Sequence, residues 1–166
     1  QSQIDLLWAL FHLGDTSQVA ERLAGLMQSD PDQPGLAALA GALAARQGKH
    51  EEAVARLRQS LAKQPSDVRT IYQLALLLEQ AGKTKLAVDQ LDRALAINGI
   101  HVRALLALAD LHLARQVALP RTKSDLEKII ELPRVTDRHR AEAYTLLARV
   151  DFLQGDRSRA VADVKA

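Results

Sequence analysis

Apolar and polar residues alternate with a helical period along almost the whole chain. Apolar positions recur three and four residues apart in ten segments: 2–13, 17–29, 35–47, 51–64, 68–81, 85–97, 102–116, 122–132, 141–154 and 157–166. This spacing predicts ten amphipathic helices. Helix-stopping residues punctuate the pattern: Gly14-Asp15, Asp30-Pro31, Gly48, Pro65, Gly82, Asn98-Gly99, Pro133 and Gly155-Asp156. Asn98-Gly99 is expected to end its helix in the left-handed conformation. Pro120 falls where a helix would begin, and proline favours a first turn.

The stretch Pro34–Asp67 is the clearest unit of a repeat. Two helical segments flank Gly48, and Pro65 closes the unit. Gly14, Gly48 and Gly82 stand 34 residues apart, as do Pro31 and Pro65. Five repeats follow: 1–33, 34–67, 68–101, 102–137 and 138–166, the last cut short. The fourth lacks the glycine at its turn, and its second helix is expected to be displaced. Gly155 lies 73 residues after Gly82, where two regular repeats would give 68, so about five residues are inserted near "PRVTDRHR". An all-α chain of helical hairpins follows, each hairpin burying its apolar face on its neighbours.

The residue pattern resembles the tetratricopeptide repeat family over essentially the whole chain. That family places small residues at positions 8, 20 and 27 of a 34-residue unit and proline at 32. Gly41, Ala53, Ser60 and Pro65 fill these places in the second repeat, and Ala75, Ala87, Ala94 and Gly99 in the third. Helices that cross closely need small residues at the crossing. Ile71, Leu74, Leu78 and Leu91 are the matching large residues of the third repeat. Ala37, Ala40 and Ala44 make the second repeat thin. In the fourth, Arg121 or Thr122 falls where a small residue is expected. The resemblance implies a right-handed α-solenoid whose first helices line a concave groove.

Carried onto this sequence, the groove positions hold Ile4, Asp5, Trp8, Phe11 and His12, then Ala38, Leu39, Ala42 and Arg46. Further along they hold Arg69, Tyr72, Gln73, Leu76 and Gln80, then Arg103, Leu106, Asp110 and Leu113, then Glu142, Arg149 and Phe152. Four of the five aromatic residues fall on this face, and Trp, Tyr and Arg are the usual anchors of a bound partner. The candidate partner-binding residues are Trp8, Phe11, Arg69, Tyr72, Gln73, Leu76, Arg103, Asp110, Arg149 and Phe152. A plainer reading of Trp8 and Phe11 is packing against an upstream repeat or a neighbouring second helix. The Ala-rich second repeat offers least for recognition. Chaperone-tail binders of the family need Asn in the groove; here Asn98, in a turn, is the only Asn, and Ala42, Leu39, Leu76 and Gln73 hold those places.

Composition narrows the functional classes. With 22 basic and 20 acidic residues the net charge is +2, which gives no reason to expect nucleic acid as a partner. The polar code residues of helical-repeat RNA readers are missing from these Ala- and Leu-rich first helices. There is no Cys, and no apolar run approaches the ~20 residues of a membrane helix. The His residues are scattered, with no HExxH motif and no Gly-rich phosphate loop. His112 falls where the core is expected, as a structural histidine. No catalytic residue, cofactor or metal is expected, and the chain is not expected to be an enzyme. The bases between Arg115 and Arg140 read as ordinary helix charges on a solvated loop, with a second contact site as the sharper alternative.

The expected function is that of a protein–protein interaction scaffold or adaptor holding a partner segment in its groove. The alternative is a regulatory or substrate-presenting arm of an enzyme encoded elsewhere in a longer chain. The start at Gln1 and the end at Ala166 inside a helix read as a piece of a larger protein. Within the family the resemblance extends to bacterial cell-envelope assembly and polysaccharide-export proteins, with a lean to the periplasm and the cytoplasm left open. Neither end carries a polar cap. Ile4–Leu7 with Trp8, and Val161 with Val164, are expected to be exposed end faces, covered by further repeats or by a second copy.

Overall fold

A computed structural model describes residues 3–31, 33 and 35–164. Their regular structure is helical: α1 Gln3–Leu13, α2 Thr16–Ser29, α3 Leu36–Arg46, α4 His50–Lys63, α5 Val68–Gln80, α6 Thr84–Ile97, α7 Val102–Ala114, α8 Leu119–Glu131, α9 Asp137–Leu153 and α10 Arg157–Val164. Pro34, which opens the clearest repeat in the sequence, lies outside the described residues. The chain forms two compact units, Gln1–Ala87 and Val88–Ala166. In the first, α1 pairs with α2 and α3 with α4, and α5 lies against both α3 and α4. In the second, α7 pairs with α8, α9 packs on both, and α10 pairs with α9.

Local chemistry sets these boundaries. Asp15, Asp67 and Thr136 cap α2, α5 and α9, each side chain accepting a hydrogen bond from a backbone N–H in the first turn. Gly14, Gly48, Gly82 and Gly155 follow α1, α3, α5 and α9 with φ of 93°, 77°, 72° and 85°, a region in which a Cβ costs about 1–2 kcal/mol. The turn from α7 to α8 has no glycine, and Gln116 and Ala118 both take φ of 52° instead. The expectation for Asn98-Gly99 is corrected: neither residue has positive φ, and Asn98 Oδ1 accepts from the Ile100 N–H in a local turn. An Asx turn satisfies the chain there without a left-handed residue.

The small and large positions pack as their chemistry requires. Ala53, Ser60, Ala75, Ala87 and Ala94 are buried, as are Ile71, Leu74, Leu78 and Leu91. At the α3–α4 crossing a Cβ on Gly41 would lie 2.8 Å from Leu57 Cδ2, so only glycine fits without displacing Leu57. Thr122 takes the small position of α8. Its hydroxyl donates to the Ala118 carbonyl and so accepts from Nδ1–H of the buried His112, 3.0 Å away. Burial, then the nearby Arg121, lowers the pKa of His112 and favours the neutral ring this contact uses.

Three further expectations are corrected. α8 begins at Leu119, three residues early, because Pro120 fits within its first turn. α9 begins at Asp137, so much of the irregular segment becomes an extra helical turn capped by Thr136. Ile4, Leu7 and Trp8 are not an exposed face: they are buried in a core shared with Leu23, Leu36 and Leu39. The outward apolar residues of α1 are Leu6 and Leu13, 48% and 83% exposed.

The basic stretch after Arg115 is largely tied down within the second unit. Arg121 bonds Asp92 at 2.5 Å and Asp125 at 3.6 Å, Lys128 bonds Asp125 at 2.8 Å, and Arg140 donates to the Leu132 carbonyl. Lys123 donates to Asp151, a carboxylate buried on α9. Asp163 of α10 lies beside that pair. Burial, followed by its hydrogen bond to Asp151 and the Asp151 charge, raises its pKa. A raised carboxyl pKa stabilises the fold below the unfolded value and loses that contribution as pH rises through the folded one. Asp163→Asn is therefore expected to match the wild type in acid and to gain on it in melting temperature as pH climbs through the raised pKa. Parallel melting curves across pH would count against this.

Candidate functional site

The first unit brings several groove candidates together. Along α1, the Trp8 ring meets the Phe11 ring edge-on, with centroids 5.7 Å apart, and stacks on His12 at 5.9 Å. Such aromatic pairs are favourable beyond their buried area. Two guanidiniums lie over this cluster. Arg69, from the first turn of α5, sits 5.3 Å from the Trp8 centroid, and Arg46, at the end of α3, sits 4.8 Å from that of Phe11. Arg46 Nη1 also donates to the Phe11 carbonyl at 2.5 Å. That carbonyl belongs to the last turn of α1, where helix carbonyls and the helix dipole favour a cation. Asp67 accepts from the Arg69 N–H at 3.1 Å and fixes the backbone from which Arg69 extends.

Neither guanidinium forms an ion pair with a carboxylate among the described residues. Arg46 lines a cavity of about 390 Å³ together with Phe11, His12, Ala42, Gln73 and Leu76, among others. Gln73 Oε1 is buried there without a hydrogen-bond partner, an acceptor left to be satisfied. Small side chains at Ala42 and Ala45 leave the space. The Ala-rich helix that looked poorest for recognition thus supplies both the hollow and one of the two cations. Its Arg46 falls at a groove position in the sequence, but its pairing with Phe11 is a tertiary contact that periodicity does not show.

The other candidates are distributed as follows. Trp8 is buried with only a ring face turned to Arg69, and Tyr72 is half-buried on α5, outside the residues lining the cavity. In the second unit Arg149 of α9 bonds Asp110 of α7 at 3.2 Å, and Phe152 is 62% exposed. Arg149 and Phe152 line a larger, apolar cavity of about 740 Å³ between the ends of α7, α9 and α10. Arg103 is exposed on α7. The groove positions Ile4, Ala38, Leu39, Leu106 and Leu113 are buried in the cores rather than presented to a partner. Among the described residues no three His, Asp or Glu side chains converge to hold a metal, and no helix is long and apolar enough to cross a membrane.

The fold these observations define is an all-α solenoid of tetratricopeptide-type hairpins. The chain is similar to a tetratricopeptide repeat protein from Parabacteroides merdae, with 23% identity and a TM-score of 0.65, over 98% of this chain and 76% of that one. It is similar to MamA from Desulfovibrio magneticus RS-1 (17% identity, TM-score 0.76, 97% and 88% of the two chains). It is also similar to PilF from Pseudomonas aeruginosa (17%, 0.80, 96% and 71%). No protein-family model matches the sequence, and no curated protein matches it. At these identities the likeness is one of fold.

Proposed function

We infer that this chain is a protein-interaction module that holds an acidic segment of a partner in the groove of its first unit. One observation carries the reading: Arg46 and Arg69 are held over an aromatic wall, without carboxylate partners among the described residues, and Arg46 lines a preformed hollow. A side-chain or terminal carboxylate would pair with them, since guanidinium–carboxylate bonds are charge-assisted and directional. Apolar partner side chains would fill the space beside Leu76 and Phe11, so that affinity comes from a few anchors. Such a module has no catalytic step of its own.

The setting we propose is a larger bacterial assembly or export protein. The Ala- and Leu-rich, Cys-free sequence supports it, as does the bacterial source of similar folds in Parabacteroides merdae and Pseudomonas aeruginosa. Self-association belongs to the same reading, supported by the exposure of Leu6, Phe152, Val161 and Val164.

The groove is tested with fluorescent peptides of alternating Glu and Leu, set against their Gln-and-Leu counterparts and followed by anisotropy. The acidic series is expected to bind, to weaken as salt rises, and to lose at least about tenfold in affinity, some 1.4 kcal/mol, in Arg46→Ala/Arg69→Ala. Equal binding of both series, or an unchanged affinity in the double variant, would remove the acidic-segment reading.

A further inference from the structure

We propose that binding in the first unit is coupled to protonation: an acidic segment paired with Arg46 takes up a proton from solvent on His12, whose ring becomes a further cation beside it. This rests on the acidic-segment reading of the proposed function and specifies how that site responds to pH.

His12 stands exposed in the last turn of α1 and lines the same cavity as Arg46. Phe11 joins the two. Its ring centroid lies 4.8 Å from the Arg46 guanidinium, and its ring meets that of His12 edge-on, with centroids 5.8 Å apart. The Trp8 ring stacks on the imidazole, the two planes 27° apart, and holds it in place. A carboxylate that enters the cavity to pair with Arg46 therefore enters a space that the imidazole also lines. The ring nitrogens of His12 form no hydrogen bond or ion pair with a described residue, so a ligand oxygen meets no competitor there.

The charges around the ring set the sign of the effect. Arg46 of α3 lines the cavity with it, and Arg69 of α5 lies over the Trp8 ring on which it stacks. α5 gives the cavity Gln73, Leu76 and Gln80, and α4 gives it Leu57, none of them charged. The nearest carboxylates along the chain are Asp5, two turns back on α1, and Asp15, which accepts from the Gln18 N–H as the cap of α2.

A bound carboxylate offsets the two guanidiniums and favours the charged imidazole. Such coupling is reciprocal, so a proton that the ligand recruits must tighten the ligand in turn. Histidine changes charge between about pH 5 and 8, where glutamate stays largely ionised. Affinity for an acidic segment is therefore expected to rise as pH falls, by up to about fivefold, the worth of one partly exposed ion pair.

The test is calorimetric titration of the 166-residue chain with the alternating Glu-and-Leu peptide. It is run at about pH 6.5 in MES and in bis-tris, whose heats of ionisation differ. A proton taken up on binding comes from the buffer, so the heat then depends on which buffer is used. The wild type is expected to take up a fraction of one proton and to bind more tightly at about pH 5.5 than at about pH 8. His12→Gln is expected to do neither. His12→Lys carries its charge throughout, so it is expected to bind tightly at both values without uptake. His12 is exposed, so both variants are expected to fold, which circular dichroism verifies, and either alone decides the outcome. Binding without proton uptake in the wild type, or uptake that persists undiminished in His12→Gln or His12→Lys, overturns the role of His12 and leaves the acidic-segment reading standing. A wild type that does not bind the acidic peptide at any of these pH values overturns both.

Discussion

Exchange of Lys123 for Met is expected to destabilise the protein by about 3–5 kcal/mol, a large share of the ~5–15 kcal/mol that holds a typical domain. The Asp151 side chain is 2% exposed, and the Lys123 ammonium neutralises it. Without that ammonium a buried carboxylate remains beside a second carboxyl, Asp163, whose Oδ2 is already buried without a partner. The cost is that of stranding a charge, so removing both charges is expected to recover most of it. In Lys123→Met/Asp151→Leu the carboxylate is gone and Leu stands where α5 carries the buried Leu78. Replacing a buried ion pair by apolar residues is often neutral or better. Urea denaturation of the four species measures the cycle. If Lys123→Met costs less than about 1 kcal/mol, the pair behaves as an exposed one and the buried-charge account is wrong.

Asp151 also marks where the sequence stops being legible. Its place along α9 matches that of Leu78 on α5 and His112 on α7, so the repeat pattern predicts an inward side chain. Nothing in the pattern says how an inward carboxylate is neutralised. The solution comes from adjacent residues of α8: Thr122 accepts from His112 in its own hairpin, and Lys123 reaches Asp151 in the next. Such pairings join residues on different helices, whereas periodicity reports only which face of a helix turns inward. For the same reason the hairpins, their small and large positions and the glycine turns could be read in advance. The α9 start and the turn at Gln116 could not, because a Thr cap and a left-handed non-glycine pair replaced the expected signals.

The groove divides along the same line. The resemblance to tetratricopeptide repeats assigned Phe11, Arg69, Gln73 and Leu76 to the groove; in the structure Phe11, Gln73 and Leu76 line one cavity and Arg69 lies over Trp8. The same resemblance assigned Ile4, Leu39, Leu106 and Leu113 to the groove, and the cores absorb them. A thin, Ala-rich α3 could be read as a gap in recognition; in the fold that gap is the hollow, and Arg46 at its end completes the cationic pair. Whether a small residue weakens a site or creates space within it depends on the helices on either side.

Leu57→Ala is expected to cost about 2–5 kcal/mol, because a fully buried side chain leaves a cavity that the α3–α4 pair can close only in part. The opposite change at the same crossing, Gly41→Ala, is expected to cost about 1–3 kcal/mol through overpacking, even though alanine is the better helix former by about 1 kcal/mol. The two effects should not add. The atoms a Cβ at Gly41 meets first are Leu57 Cδ2 and Cγ, at 2.8 and 2.9 Å, and Leu57→Ala removes both. Only the Ala53 carbonyl, 3.2 Å away, then remains close. In the Leu57→Ala background, Gly41→Ala is therefore expected to be neutral or slightly stabilising, a coupling of about 1–3 kcal/mol between residues in contact. Additive costs would mean that the Leu57 side chain is not what requires glycine at 41. Because α3 also carries Arg46, any variant that pries α3 from α4 should weaken acidic-peptide binding together with stability. Arg46→Ala, on the exposed end of the helix, should weaken binding with a smaller loss of stability, that of its contacts to Phe11.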